Sequence, residues 1–152
     1  MTDYVPREHL AVTATVDLAH RIHREVGPGL PESVYEEMLA RGLSEKGFEV
    51  QTQVSVPSVR PRAAGEGFQA DLIIDGCVLI ELKSLDALHA DHHREVLRNL
   101  DMSNLSMALL VNFGEANLED GIFHFYDRPD GLALSSGRGR SAGRKLFFTD
   151  PV

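Results

Sequence analysis

At 152 residues, with 43% hydrophobic content, the chain is sized for one compact domain with a sizeable core. Its formal net charge of −8 excludes a surface coated in nucleic-acid-binding positive charge, though not a local basic groove, and its single cysteine, Cys77, excludes an internal disulfide. No apolar run approaches a membrane span and the start MTDYVPREHL lacks signal-peptide regions, so a cytoplasmic location and no membrane partner are expected. The charge is uneven: residues 131–152 carry four basic side chains against Asp150, a net of +3, which leaves −11 on the first 130.

In chain order, residues His9 to Val26 show helical spacing of Leu10, Val12, Val16, Ala19, Ile22 and Val26. His20 and His23, three apart, lack a third ligand at a zinc-like spacing. Gly27-Pro28-Gly29 breaks this helix, and Pro31 starts a second that runs to about Lys46. Glu32 then lies in its first turn, where it complements the helix dipole, or else delivers a carboxylate inward on the face shared with Tyr35, Glu36, Leu39 and Leu43. Phe48 to Pro57 alternates Phe48, Val50, Thr52, Val54 and Val56 against Glu49, Gln51, Gln53 and Ser55, the pattern of a half-buried strand. Residues 60–65 form a loop whose Arg60 and Arg62 can meet a phosphate backbone or simply be solvated.

The next stretch, GFQADLIIDGCVLIELK from Gly67 to Lys83, reads as two apolar strands around an Asp-Gly turn, interrupted by Asp71, Glu81 and Lys83. A two-residue loop at Asp75-Gly76 would put Asp71 on the face of Val78, Ile80 and Leu82. A three-residue loop, Ile74-Asp75-Gly76 with Gly76 left-handed, sets Asp71 opposite Leu79 instead. It gathers Asp71, Glu81 and Lys83 on one face and leaves Ala70, Leu72, Val78, Ile80 and Leu82 on the other. Burying an isolated carboxylate costs several kcal/mol, so the second register is expected. Two carboxylates on one face repel unless a cation sits between them, and oxygen ligands suit Mg²⁺ or Mn²⁺ better than Zn²⁺. Lys83 can then polarise a phosphoryl oxygen or hold an attacking water. The same trio can equally be a salt bridge from Lys83 to Asp71 or Glu81 at a sheet edge.

From about Asp86 to Met102 a helix presents Leu88, Val96, Leu97 and Leu100 on one face, with His92 on or beside it. Strands follow at Met107 to Phe113 and Gly121 to Tyr126. The domain is expected to occupy residues 1–127. Residues 128–152, rich in Gly, Ser and Arg, are expected to be a flexible or loosely docked tail, with an edge strand possible at 145–149.

Asp71, nine intervening residues, then Glu81-Leu82-Lys83 resembles the bipartite motif of the PD-(D/E)XK nuclease superfamily. Gly29-Leu30-Pro31-Glu32-Ser33-Val34-Tyr35 is similar to the signature of its GxxExxY protein family, and the resemblance continues through Gln53, Val56-Pro57, Gly67 to Leu72 and Leu110-Val111-Asn112-Phe113-Gly114. It implies an α/β fold of restriction-endonuclease type, a mixed central sheet flanked by helices. It also implies Mg²⁺-dependent (or Mn²⁺-dependent) hydrolysis of nucleic-acid phosphodiesters, DNA ahead of RNA. Asp71, Glu81 and Glu32 would be the metal ligands and Lys83 the catalytic cation, while His92, Glu95 and Tyr35 would stand against substrate or behind the ligands. The chain has Glu95 and Asn99 where the family usually has Gln and Tyr, which adds a negative charge beside the site. Two other readings follow from that acidity: a non-catalytic adaptor or homodimerising scaffold, and a hydrolase of a small phosphorylated molecule.

Overall fold

The chain is described here by a computed structural model at residues 5–59, 66–128, 131–136 and 146–147. Helix α1 (Arg7–Val26) buries Ala11, Leu18, Ala19 and Ile22, a single stripe at helical spacing. Helix α2 (Glu32–Glu45) buries Tyr35, Leu39 and Leu43, one residue per turn. Both stripes close on one face of a mixed sheet, against Leu72, Ile74, Val78, Ile80, Leu82, Leu109 and Val111. Helix α3 (Ala90–Met102) covers the other face, where Val96, Leu97 and Leu100 meet Ile73, Leu79, Ala108, Leu110 and Phe125. The architecture is therefore α/β, a sheet between two helical layers.

The sheet runs in chain order: β1 (Val50–Pro57), β2 (Gly67–Ile74), β3 (Val78–Lys83), β4 (Met107–Asn112), β5 (Ile122–Arg128), β6 (Gly131–Ser136) and β7 (Leu146–Phe147). All neighbours are antiparallel except β3 and β4, which are parallel and joined through α3. Covered on both sides, β3 and β4 are buried from Val78 to Leu82 and Met107 to Asn112, which explains their unbroken apolar runs. Of the C-terminal stretch, Arg128 ends β5 and two pieces extend the sheet as β6 and β7, while residues 129–130, 137–145 and 148–152, like Arg60 and Arg62, lie outside the described residues. Among the described residues no helix is long and apolar enough to cross a membrane.

The β2–β3 turn corrects the expected loop by one residue while keeping its consequence. Asp75 (φ 52°) and Gly76 (φ 64°) are both left-handed, and Cys77 N–H donates to the Ile74 carbonyl at 3.0 Å, which makes Asp75-Gly76 the centre of a type I′ turn. Cys77 is an extra residue, so the ladder closes at Ile74 with Val78 and pairs Ile73, rather than Asp71, with Leu79. An odd loop keeps the parity that sorts Ile73 and Leu79 with Glu81 and Lys83, and Asp71 stands near enough to act on the charge of Glu81. Arg7 anchors this turn from α1, with its guanidinium on the Asp75 carboxylate and 4.5 Å over the Phe48 ring.

A second correction concerns β1 and the outer half of β2. Val50 packs with the α1/α2 core, but Val54, Val56, Phe68 and Ala70 pack with the α3 cluster. The strands exchange faces at Gln53 and Asp71, where Gln53 has φ of 49° and that one rung is missing from the β1–β2 ladder. Ala70 therefore does not belong to the apolar face of Leu72, Val78, Ile80 and Leu82, because a left-handed residue inside a strand breaks the period of two.

Candidate active site

The β2–β3 ladder ends at Leu72 with Ile80. Beyond it, in the same register, Asp71 falls opposite Glu81, and the Asp71 Oδ2 accepts from Leu82 N–H at 2.8 Å. A side chain thus takes the place of a ladder partner where the strands part. The other oxygen, Oδ1, accepts from the Gln53 side-chain amide at 3.3 Å, and the same amide nitrogen donates to Glu36 Oε1 at 2.8 Å. Layer α2 reaches Asp71 through Gln53, and layer α3 reaches Glu81 through Asn99, whose Nδ2 donates to Glu81 Oε1 at 3.4 Å.

Glu81 is 6% exposed, and its carboxyl is pushed up to about 8, first by burial, then by the negative charge of Asp71. The Asn99 hydrogen bond and the Lys83 ammonium act the other way, while Glu95 adds to the rise. Lys83, half-buried two residues along the same strand face, therefore lies within electrostatic reach of Glu81. Its attraction is outweighed. No ion pair within 4.0 Å joins Lys83 to Asp71 or Glu81 among the described residues.

Glu32 is exposed in the first turn of α2, and Glu36, one turn later, is the helix acid tied to Asp71. Tyr35 is fully buried, stacked on Phe113 with centroids 4.1 Å apart. Its hydroxyl donates to the Gly27 carbonyl at 2.7 Å and accepts from Leu30 N–H at 3.0 Å, so it holds the α1–α2 loop in front of Glu32. His92 Nδ1 accepts from His89 N–H at 2.9 Å and caps α3. Glu95 is exposed, one turn before Asn99.

Behind Lys83 the chain is clamped. Phe113 N–H donates to the Lys83 carbonyl at 2.8 Å. Asn112, fully buried, accepts from Leu85 N–H at 2.9 Å and from Gly114 N–H at 3.1 Å, and returns a hydrogen bond to the Leu85 carbonyl at 3.0 Å. A Cβ on Gly114 would stand 2.0 Å from the Leu85 carbonyl oxygen, so only glycine allows this approach. Ser84 Oγ also donates to the Leu30 carbonyl, which links the exit of β3 to the loop that Tyr35 holds.

Gln53 and Asn99 come to the site from positions that local pattern reads as solvent-facing or merely divergent, and Glu36 from the face of α2 read as inward. The inward face of α2 marks Glu36 and the family resemblance touches Gln53 and Asn99, but their partners are fixed only by the long-range pairing of β1 with β2 and the packing of α3 on the sheet. Among the described residues no three His, Cys, Asp or Glu side chains converge as a self-sufficient ligand set. Two carboxylates, one nearly buried and raised by the other, still fit a hard divalent cation, because Mg²⁺ is commonly held by one or two carboxylates, with waters and substrate phosphate oxygens completing its shell.

The family model described as the PD-(D/E)XK nuclease superfamily matches residues 10–125. No curated protein and no solved structure is significantly similar to the chain.

Proposed function

Because the chain belongs to the PD-(D/E)XK nuclease superfamily, we propose that it hydrolyses nucleic-acid phosphodiester bonds with a divalent metal, Mg²⁺ or Mn²⁺, held by Asp71 and Glu81. The observation that carries this reading is Glu81, an acid 6% exposed whose carboxyl is raised by burial and then by a second acid beside it, which is a costly arrangement for a fold and a useful one for a cation. Superfamily members typically use divalent metals. When bound, the cation would neutralise the pair and polarise a phosphoryl oxygen.

Each side chain then has a role. Asp71, oriented by Leu82 N–H and Gln53, presents a fixed carboxylate. Glu81 would hold the cation as a carboxylate and so would release its proton on binding. Lys83 orients the attacking water or stabilises the charge developing on the phosphate. Glu32 would hold the cation directly or through water, and Glu36, connected through Gln53, would be the alternative for that role. Tyr35 supports Glu32 from behind, and His92 and Glu95 flank the path of the substrate along α3. The likeness of Gly29 to Tyr35 to the GxxExxY signature supports a place in that branch. DNA is the preferred substrate over RNA.

The deciding experiment is calorimetric titration of Mg²⁺ and of Mn²⁺ into the protein and its Asp71→Ala variant, paired with cleavage of single- and double-stranded DNA and RNA. Metal uptake and cleavage that both vanish in the variant support the nuclease. One observation favours a second reading, a non-catalytic scaffold: Glu95 adds its charge beside Glu81, where a phosphate must approach. A protein that binds neither metal nor nucleic acid would establish that scaffold instead.

A further inference from the structure

We propose that Gln53 is a positioning residue of the site: its amide, standing between Glu36 and Asp71, sets the orientation of the Asp71 carboxylate and couples α2 to it. The inference rests on the reading of Asp71 as a cation ligand. Among the described residues two non-glycines have positive φ, Asp75 and Gln53. Asp75 is accounted for by the type I′ turn it forms with Gly76. Gln53 lies inside β1, with paired rungs at Thr52 and Val54 on either side, where an extended residue would otherwise sit. A strained conformation persists only where its surroundings over-determine it.

Those surroundings are two carboxylates. Nε2 carries two hydrogens, and Glu36 Oε1 at 2.8 Å and Asp71 Oδ1 at 3.3 Å receive them. The opposite amide orientation would set the Gln53 carbonyl oxygen against two anions, so the nitrogen is assigned by its partners. With Leu82 N–H on Oδ2, both oxygens of Asp71 are held by neutral donors. Rotation of the carboxylate is arrested without a competing positive charge. Groups that orient a metal ligand in this way typically contribute about 10- to 100-fold in affinity.

The test separates the backbone from the amide. Gly and Asn both tolerate the left-handed conformation, but Gln53→Gly has no amide and the shorter Gln53→Asn cannot span both carboxylates. In each, the melting temperature should match or exceed wild type while the Kd for Mg²⁺ alone weakens about tenfold. Turnover should fall with KM for nucleic acid little changed. Kd values within twofold of wild type, or losses of affinity that track losses of melting temperature, would overturn the proposal. An independent readout needs no metal: the Gln53 side-chain amide resonance in ¹⁵N-labelled protein should be displaced by Glu36→Gln and by Asp71→Asn. Should wild type take up no Mg²⁺, the nuclease reading fails on that result, and the resonance alone decides the clamp, displacement supporting it and an unmoved signal refuting it.

Discussion

Replacing Glu81 by Gln tests the site through the energetics of a buried acid. An ordinary glutamate titrates at 4.5, and burial with Asp71 beside it takes Glu81 to about 8. Between those two pH values the unfolded chain has lost a proton that the folded chain keeps, so this group stabilises the fold fully below pH 4.5 and loses that contribution as pH rises through 8. At roughly 1.4 kcal/mol per tenfold change in proton affinity, the ceiling is about 5 kcal/mol, and relaxation around a real charge reduces it to a few. Gln has the same shape and no charge. In EDTA, urea denaturation should therefore find Glu81→Gln nearly equal to wild type at pH 4.5 and more stable by about 2 to 4 kcal/mol at pH 8.5, other titrations cancelling in the difference. With its carboxyl raised to about 8, Glu81 should be mostly protonated at pH 7, so Mg²⁺ uptake should release a proton. Calorimetry in buffers of different ionisation enthalpy reads this directly. A stability difference that is the same at both pH values, or metal uptake without proton release, would refute the reasoning.

Lys83→Ala should lower cleavage by about 10² to 10³, the usual cost of losing a charge-stabilising group, while Mg²⁺ affinity measured by calorimetry is unchanged or tighter. Glu32→Gln and Glu36→Gln, compared for Mg²⁺ Kd, should decide which helix acid serves the cation, with the larger loss expected at Glu32. Tyr35→Phe leaves the Gly27 carbonyl and Leu30 N–H without their shared partner and should cost about 1 to 3 kcal/mol in denaturant unfolding. Gly114→Ala drives a Cβ into the Leu85 carbonyl, so it should lower stability by at least about 1 to 3 kcal/mol and displace the Lys83–Leu85 segment, visible as amide chemical-shift changes there.

Much of the fold follows from local pattern, because period and punctuation are properties of neighbouring residues. The stripes of α1 and α2, the apolar runs of β3 and β4, and the break at Gly27-Pro28-Gly29 are all legible in this way. So is the gathering of Asp71, Glu81 and Lys83, since any odd-length loop at Asp75-Gly76 gives that parity, whether it spans residues 74–76 or, as found, 75–77. The face exchange at Gln53 was not legible. Nothing in VQTQVSVP marks one glutamine for a left-handed backbone, and the two carboxylates that hold it there come from residues 17 and 18 positions away.

The sequence by itself singled out the candidates to carry the chemistry, because acids and a lysine inside an apolar hairpin are costly wherever the chain puts them. Only the tertiary structure decided what stands next to each. Tyr35 reads as a motif residue beside a catalytic acid, yet stacking on Phe113 turns it into a support for the Gly27–Leu30 loop. Asn99 reads as a departure, yet α3 crossing between β3 and β4 brings its amide to Glu81. Asn112 reads as the end of a buried strand, yet it fastens the chain leaving Lys83. In each case the deciding partner lies on a different element, and the contact exists only once the sheet has closed between its two layers of helices.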